Sequence, residues 1–99
     1  MNDLLNLVEV QGAEELRLEP GQSPVMVLRG QLRVLDQPLL TSDQVAELFG
    51  SFATETHLNE LRRCGDVRFT YVFRNSAHFG VTASMQHGKL SVKMKHLSR

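Results

Sequence analysis

The sequence predicts an α+β domain: one antiparallel sheet of about six strands, in the order α-βββ-αα-βββ, with helices packed on one face. Three observations carry this expectation. Apolar and polar residues alternate through most of the last third of the chain, at the period of a half-buried strand. Two other regions, near Leu4 and between Val45 and Leu61, change to the three-and-four spacing of a helix face. Turn signals at Pro20-Gly21, Gly30, Asn75-Ser76 and His87-Gly88 divide the strand-like runs into short pieces.

Leu4, Leu7 and Val8 lie on one side of a short helix entered through Asn2 or Asp3 and ended by Gly12. Leu16 and Leu18 then alternate with Glu15, Arg17 and Glu19, which gives a strand with one wet face. After the Pro20-Gly21 turn, Val25 to Leu28 is short and apolar on both faces, which suits a central strand. Gly30 marks a tight reversal, Leu32 and Val34 begin the return strand, and Pro38 closes the hairpin. Thr41 and Gln44 have capping-box spacing, with Ser42 or Asp43 as alternative caps. Val45, Leu48, Phe49 and Phe52 form the stripe of the helix that follows. A further helix starts at Thr54, turns Leu58 and Leu61 inward and stops at Gly65. Val67, Phe69, Tyr71 and Phe73 share one face of the next strand, with Arg68, Thr70 and Arg74 on the other. Phe79, Val81, Ala83 and Met85 repeat the alternation. Leu90, Val92 and Met94 close the sheet, with Ser91, Lys93 and Lys95 opposite them.

The totals bound the function. Residues 1–99 have the length of a single domain, with 41% apolar and 22% charged residues, values close to those of an ordinary folded protein. No run approaches the roughly 18 apolar residues of a membrane span. The acidic start Met1-Asn2-Asp3 does not suit a signal peptide, and a lone Cys64 suits a reducing compartment, so a cytoplasmic location is expected. Net charge is zero but uneven: residues 1–61 hold three arginines against ten carboxylates, and residues 62–99 hold eight Lys or Arg against Asp66 alone. Either the two halves attract each other across the fold, or the second half presents a basic binding face.

A test for chemistry finds little. His57, His78, His87 and His96 show no ligand spacing with Cys64 or a carboxylate, so no metal or other cofactor is expected. His57 and Glu60, one helical turn apart, read as a solvated pair. Cys64, beside Arg62 and Arg63, reads as a helix-end residue filling a gap, because no base can be assigned to it. No catalytic residues are assigned, and an enzyme is not expected. The candidate partner-binding face is the cationic side of the sheet: Arg68, Arg74, Lys93 and Lys95, with Thr70, Thr82 and Ser84 among them. It reads either as an ordinary wet face whose edge lysines discourage aggregation or as a docking surface for an acidic protein. Nucleic acid is not expected, because the aromatic residues fall on the opposite face and the net charge is zero.

Four stretches resemble the N-terminal domain of PilT/GspE-type ATPases, which drive type IV pili and type II secretion. "GAEELRL" and "PGQSPVMVLRGQL" stand where that family has an "ASDLHL"-like strand, a glycine-and-proline turn and a strand ending in "R-x-D-G", with Leu16, Leu18, Gly21, Pro24, Gly30 and Leu32 matching. "CGDVRFTYVF" resembles the family's "tGELDFAYS" through Gly65, Asp66, Phe69 and Tyr71, and "HFGVTASMQHG" stands in place of "RFRVNVFRQRG". The resemblance implies a PAS-like sheet-and-helix fold that packs against neighbouring subunits of a hexamer and lends arginines to a nucleotide site. Here, however, the family's first arginine falls on Val27 and its aspartate on Arg29, while the later arginines fall on His78 and Gly80 and the asparagine on Thr82. Neither glycine nor neutral histidine supplies the fixed donor fork that an arginine offers a phosphate, so nucleotide binding is not expected. No GxxxxGK[ST] occurs, and "VKMKHLSR" ends about where the family continues toward its motor domain. The resemblance therefore implies a non-catalytic interaction or regulatory domain associated with such an ATPase system, its partner being the ATPase or a second copy in a homo-oligomer. Two alternatives stay open. One is a PAS-like sensor holding a small ligand among Phe49, Phe52, Phe69, Phe73 and Phe79; the other is a small cytosolic secretion chaperone acting as a stable dimer.

Overall fold

Helix α1 (Asn2–Gln11) leads into the strands β1 (Glu15–Leu18), β2 (Val25–Leu28) and β3 (Gln31–Val34). Helices α2 (Ser42–Gly50) and α3 (Glu55–Cys64) follow, and β4 (Asp66–Phe73), β5 (Ala77–Gln86) and β6 (Lys89–His96) complete the order α-βββ-αα-βββ. The structure, a computed structural model, describes residues 2–73 and 77–97; Arg74 and the Asn75-Ser76 turn lie outside the described residues.

The strands form one six-stranded sheet in the order β3-β2-β1-β6-β5-β4, and every neighbouring pair is antiparallel. The first and last strands meet at its centre, where Leu16 lies opposite Met94 on one side and Met26 on the other. Two tight turns set the registers on either side. Arg29 (φ 52°) and Gly30 (φ 78°) join β2 to β3, and His87 (φ 54°) and Gly88 (φ 76°) join β5 to β6. Two consecutive residues with positive φ give the turn whose twist matches that of the strands it connects.

The helix boundaries follow local chemistry. Thr41 caps α2: its hydroxyl accepts from the Gln44 amide at 3.1 Å while the Gln44 side chain accepts from the Thr41 amide at 2.9 Å, so neither Ser42 nor Asp43 is the cap. Thr54 caps α3, and Gly65 ends it in the left-handed region at φ 84°. Along α1, Leu4, Leu5 and Val8 are buried and Leu7 is half-buried, so the buried stripe is rotated by one residue from the expected 4-7-8 pattern. Docking on β1 selects the side that points at the sheet.

All three helices cover the same face. α1 packs on β1, α2 on β6, and α3 on β4 and β5. Beneath them Leu16, Leu18, Met26, Val67, Phe73, Phe79, Val81, Val92 and Met94 join Val45, Phe49 and Leu61 in one core. The expectation for β2 is met in part. It has a strand on each side, but only one of its faces is covered: Met26 is buried, while Val25 and Val27 are half-buried on the outer face. Its return strand β3 is exposed throughout, with Leu32 at 63% and Val34 at 71%.

Candidate functional site

Among the described residues, no helix or strand layer covers the side of the sheet away from the helices, and the registers map what it presents. One row of directly opposed residues crosses all six strands: Arg68, Thr82, Lys93, Arg17, Val25, Val34. The next row on the same face reads Thr70, Gly80, Lys95, Glu15, Val27, Leu32. The structure therefore brings Arg68, Lys93 and Lys95 onto one surface, with Thr82 between Arg68 and Lys93 and Thr70 at the β4 edge. Arg74, the fourth residue of that expected set, lies outside the described residues.

Local electrostatics make this arrangement tolerable. Lys93 and Arg17 stand directly opposite each other, a pairing that disfavours a sheet when both charges are unbalanced. The Glu15 carboxylate accepts from Arg17 Nε at 2.8 Å and offsets that repulsion from within β1. Arg68, Lys93 and Lys95 are exposed and form no salt bridge with a described residue. At the end of β5 and β6, Glu19, Thr82, Ser84, Gln86, Ser91 and Lys93 border a small polar depression of about 170 Å³.

On this surface the two halves of the chain meet where Glu15 stands directly opposite Lys95. The salt bridge found there among the described residues, Arg17 to Glu15, lies within the acidic half. Sequence reasoning also missed the apolar part of the face, Val25, Val27, Leu32 and Val34, which continues both cationic rows to the β3 edge. The signal was present: a two-residue turn at Arg29-Gly30 forces Leu32 opposite Val27 and Val34 opposite Val25, on the same side. Leu97 adds a further apolar contact by lying over Gly80, 3.5 Å from where a Cβ would stand.

On the helical side, a groove of about 560 Å³ opens between α2, α3 and the β5–β6 hairpin, bordered by Phe49, Leu58, Leu61, Met85 and Leu90. Of the five phenylalanines expected to line a ligand pocket, it borders Phe49 alone. Phe52 and Phe69 instead pack on Phe49 and on each other, with ring centroids 5.5 to 6.1 Å apart. His57 is not simply a solvated partner of Glu60: its Nδ1 accepts from the Thr54 amide at 3.3 Å, and its ring stacks on Phe69 at 3.7 Å. Cys64 is exposed, so it fills no gap in the core. Among the described residues, no three His, Cys, Asp or Glu side chains converge as a metal site would require. No helix among them is long and apolar enough to cross a membrane.

No family model matches the sequence, and no relative is found among curated proteins. Solved structures do match. The pilus retraction motor PilT, determined with bound ADP, superposes with a TM-score of 0.91 at 22% identity, covering 99% of this chain and 29% of that one. The Legionella pneumophila ATPase DotB superposes at 0.82 with 18% identity, over 99% of this chain and 28% of that one. The Yersinia pseudotuberculosis ATPase DotB gives 0.79 with 13% identity, over 98% and 29%. The chain thus spans under a third of the length of each, and at these identities the likeness is one of fold. The resemblance read from the strand and turn motifs is therefore upheld by the backbone: this chain has the sheet-and-helix fold of one part of the PilT and DotB ATPases.

Proposed function

We propose that residues 1–99 act as one non-catalytic interaction or regulatory domain of a type IV pilus or type II secretion ATPase system, working in the cytoplasm. In this reading the outer sheet face, with Arg68, Arg74, Lys93 and Lys95, docks on an acidic surface of a protein partner, an ATPase of the PilT or DotB kind. The observation that carries it is the pairing, on one sheet face, of the exposed cations Arg68, Lys93 and Lys95, which form no salt bridge with a described residue, and a contiguous aliphatic strip. Charges of one sign steer and orient an encounter, and an apolar strip supplies area that favours staying bound. Chemistry is not assigned to the chain. The positions that would face phosphate in the resembling family hold His78 and Gly80, and the fold likeness spans only a minor part of the ATPases.

The test uses the purified chain immobilised against a purified PilT-type ATPase from the same cell. Binding is expected, weakening about tenfold in the double variant Arg68→Glu/Lys93→Glu and falling as salt rises. A parallel titration with ATP is expected to show no binding by the chain alone. Failure of the ATPase to bind at about 100 μM, a concentration that detects even weak transient contacts, would overturn the assignment.

A further inference from the structure

We infer that the groove between α2, α3 and the β5–β6 hairpin is a second docking site, one that takes an amphipathic helix of a partner protein. That helix carries an acidic residue at one end of its apolar stripe and a basic residue at the other. The groove exists because its two helices dock on different strands: α2 packs on β6, and α3 on β4 and β5. The end of the hairpin is left between them, and its opposed pair Met85 and Leu90 forms the floor. Along α2, Asp43, Ala46 and Phe49 border the groove at the spacing of one helix face. Along α3, Leu58, Leu61 and Arg62 do the same. The Gly65 carbonyl accepts from the Met85 amide at 2.8 Å, which ties the hairpin to the end of α3 and holds the walls in place before anything binds.

The lining decides the occupant. The volume of about 560 Å³ is that of a binding cleft, commonly ~300 to 1,000 Å³. Met85 is 40% exposed on its border, and an exposed methionine is a pliant apolar contact that repacks around an incoming side chain. Two charges of opposite sign stand on the rim, Asp43 from the first turn of α2 and Arg62 from the last turn of α3. Neither forms a salt bridge with a described residue, and Arg62 donates to its neighbour Asn59 Oδ1 at 3.1 Å. A lipid-like chain with one charged head would match one of these charges and leave the other against its apolar tail. A helix with aliphatic residues three and four apart matches both, with lysine toward Asp43 and glutamate toward Arg62. The helices of a second copy keep their apolar stripes, around Leu5, Phe49 and Leu61, in their own core, so the helix comes from another protein. The groove lies on the opposite side of the sheet from Arg68, Lys93 and Lys95, so it is a site separate from the sheet face.

The probe is a synthetic peptide of about 15 residues, near the shortest length that is helical in water, with leucines three and four apart, glutamate before them and lysine after them. It is titrated into the 99-residue chain up to about 1 mM and followed by backbone amide shifts. The shifts are expected to cluster at Ala46, Leu58, Gly65, Met85 and Gly88, which border the groove. Companion peptides with two lysines or two glutamates are expected to bind about fivefold more weakly. Asp43→Lys is expected to turn the preference toward the two-glutamate peptide and Arg62→Glu toward the two-lysine peptide, since each leaves a rim of one sign. Met85→Lys, at an exposed position, is expected to abolish binding, and circular dichroism checks that every variant is folded. Arg68→Glu/Lys93→Glu is expected to bind the peptide as the wild type does, which separates this site from the sheet face. No shift at the groove with any peptide, or equal affinity for all three, overturns the inference. Groove shifts on concentrating the chain alone overturn it in favour of a second copy. Groove shifts from dodecanoate at a lower concentration than from the peptide overturn it in favour of a lipid-like ligand.

Discussion

At the start of α3, the His57 imidazole completes a capping box with Thr54 while its ring lies against Phe69, nearly parallel at 7°. Glutamate or glutamine usually fills that third helical position, because the side chain must reach back to accept from the cap amide. Histidine does the same through Nδ1 and adds a flat apolar face to the contact. Two variants separate these roles. His57→Gln retains an acceptor but loses the stack, and His57→Ala loses both. We expect His57→Ala to lower stability by about 1 to 2 kcal/mol and His57→Gln by about half as much, read as midpoints of urea unfolding at unchanged slope. Equal effects from the two would show that the Nδ1 acceptor contributes nothing. The position of the helix start was legible in Thr54 and the end in Gly65, since both act through their own backbone neighbourhood. The role of His57 was not, because its contact with Phe69 comes from a strand that the linear pattern cannot bring near.

The β2–β3 hairpin shows what period and turn type yield together. Alternation alone assigns no side of the sheet to Leu32 and Val34, and the apolar run from Val25 to Leu28 reads equally as a strand covered on both faces. The two-residue turn at Arg29-Gly30 fixes the pairing, and the pairing sends both aliphatic residues outward. This gives a contrast between an exposed strand, β3, and a helix with a buried face, α2. Leu32→Lys/Val34→Lys is expected to change stability by less than about 0.5 kcal/mol, because the removed side chains are solvent-facing, while weakening capture of the ATPase several-fold. Phe49→Ala, on α2 and 1% exposed, is expected to destabilise by about 3 to 5 kcal/mol, since it removes a ring that Phe52 and Phe69 pack against. Thermal or urea unfolding distinguishes them. A large loss from the β3 pair would place those residues in the core and remove the apolar part of the docking face.

At the scale of the molecule, the fold depends on four-residue β1 and its pairing with β6, which joins the N-terminal hairpin to the C-terminal meander. The strands themselves, their alternation and their turns were readable because each obeys a local rule. The strand order was not, since nothing between Leu18 and Val92 states that the first strand will lie beside the last. The charge asymmetry between the two halves was likewise visible as a total, but its distribution depended on topology: Arg68, Lys93 and Lys95 turn outward, while α1 and α2, which carry no Lys or Arg, and α3, which carries Arg62 and Arg63, cover the other side. The central junction therefore couples structure to proposed function, because separating β1 from β6 would divide the row that carries Arg17 beside Lys93. Leu16, 0% exposed and opposite both Met26 and Met94, is the side chain that bridges the two halves. Leu16→Ala is expected to cost about 2 to 5 kcal/mol, a large share of the roughly 5 to 15 kcal/mol that holds a small domain folded. Because one core runs through both halves, unfolding is expected as a single transition, with far-ultraviolet dichroism and tyrosine fluorescence from Tyr71 giving coincident curves. Tyr71 lies on β4 at the far edge from the N-terminal hairpin, so a fluorescence midpoint well above the dichroism midpoint would mean that the meander outlasts the hairpin and that β1 is an attached strand, not the centre of one cooperative sheet.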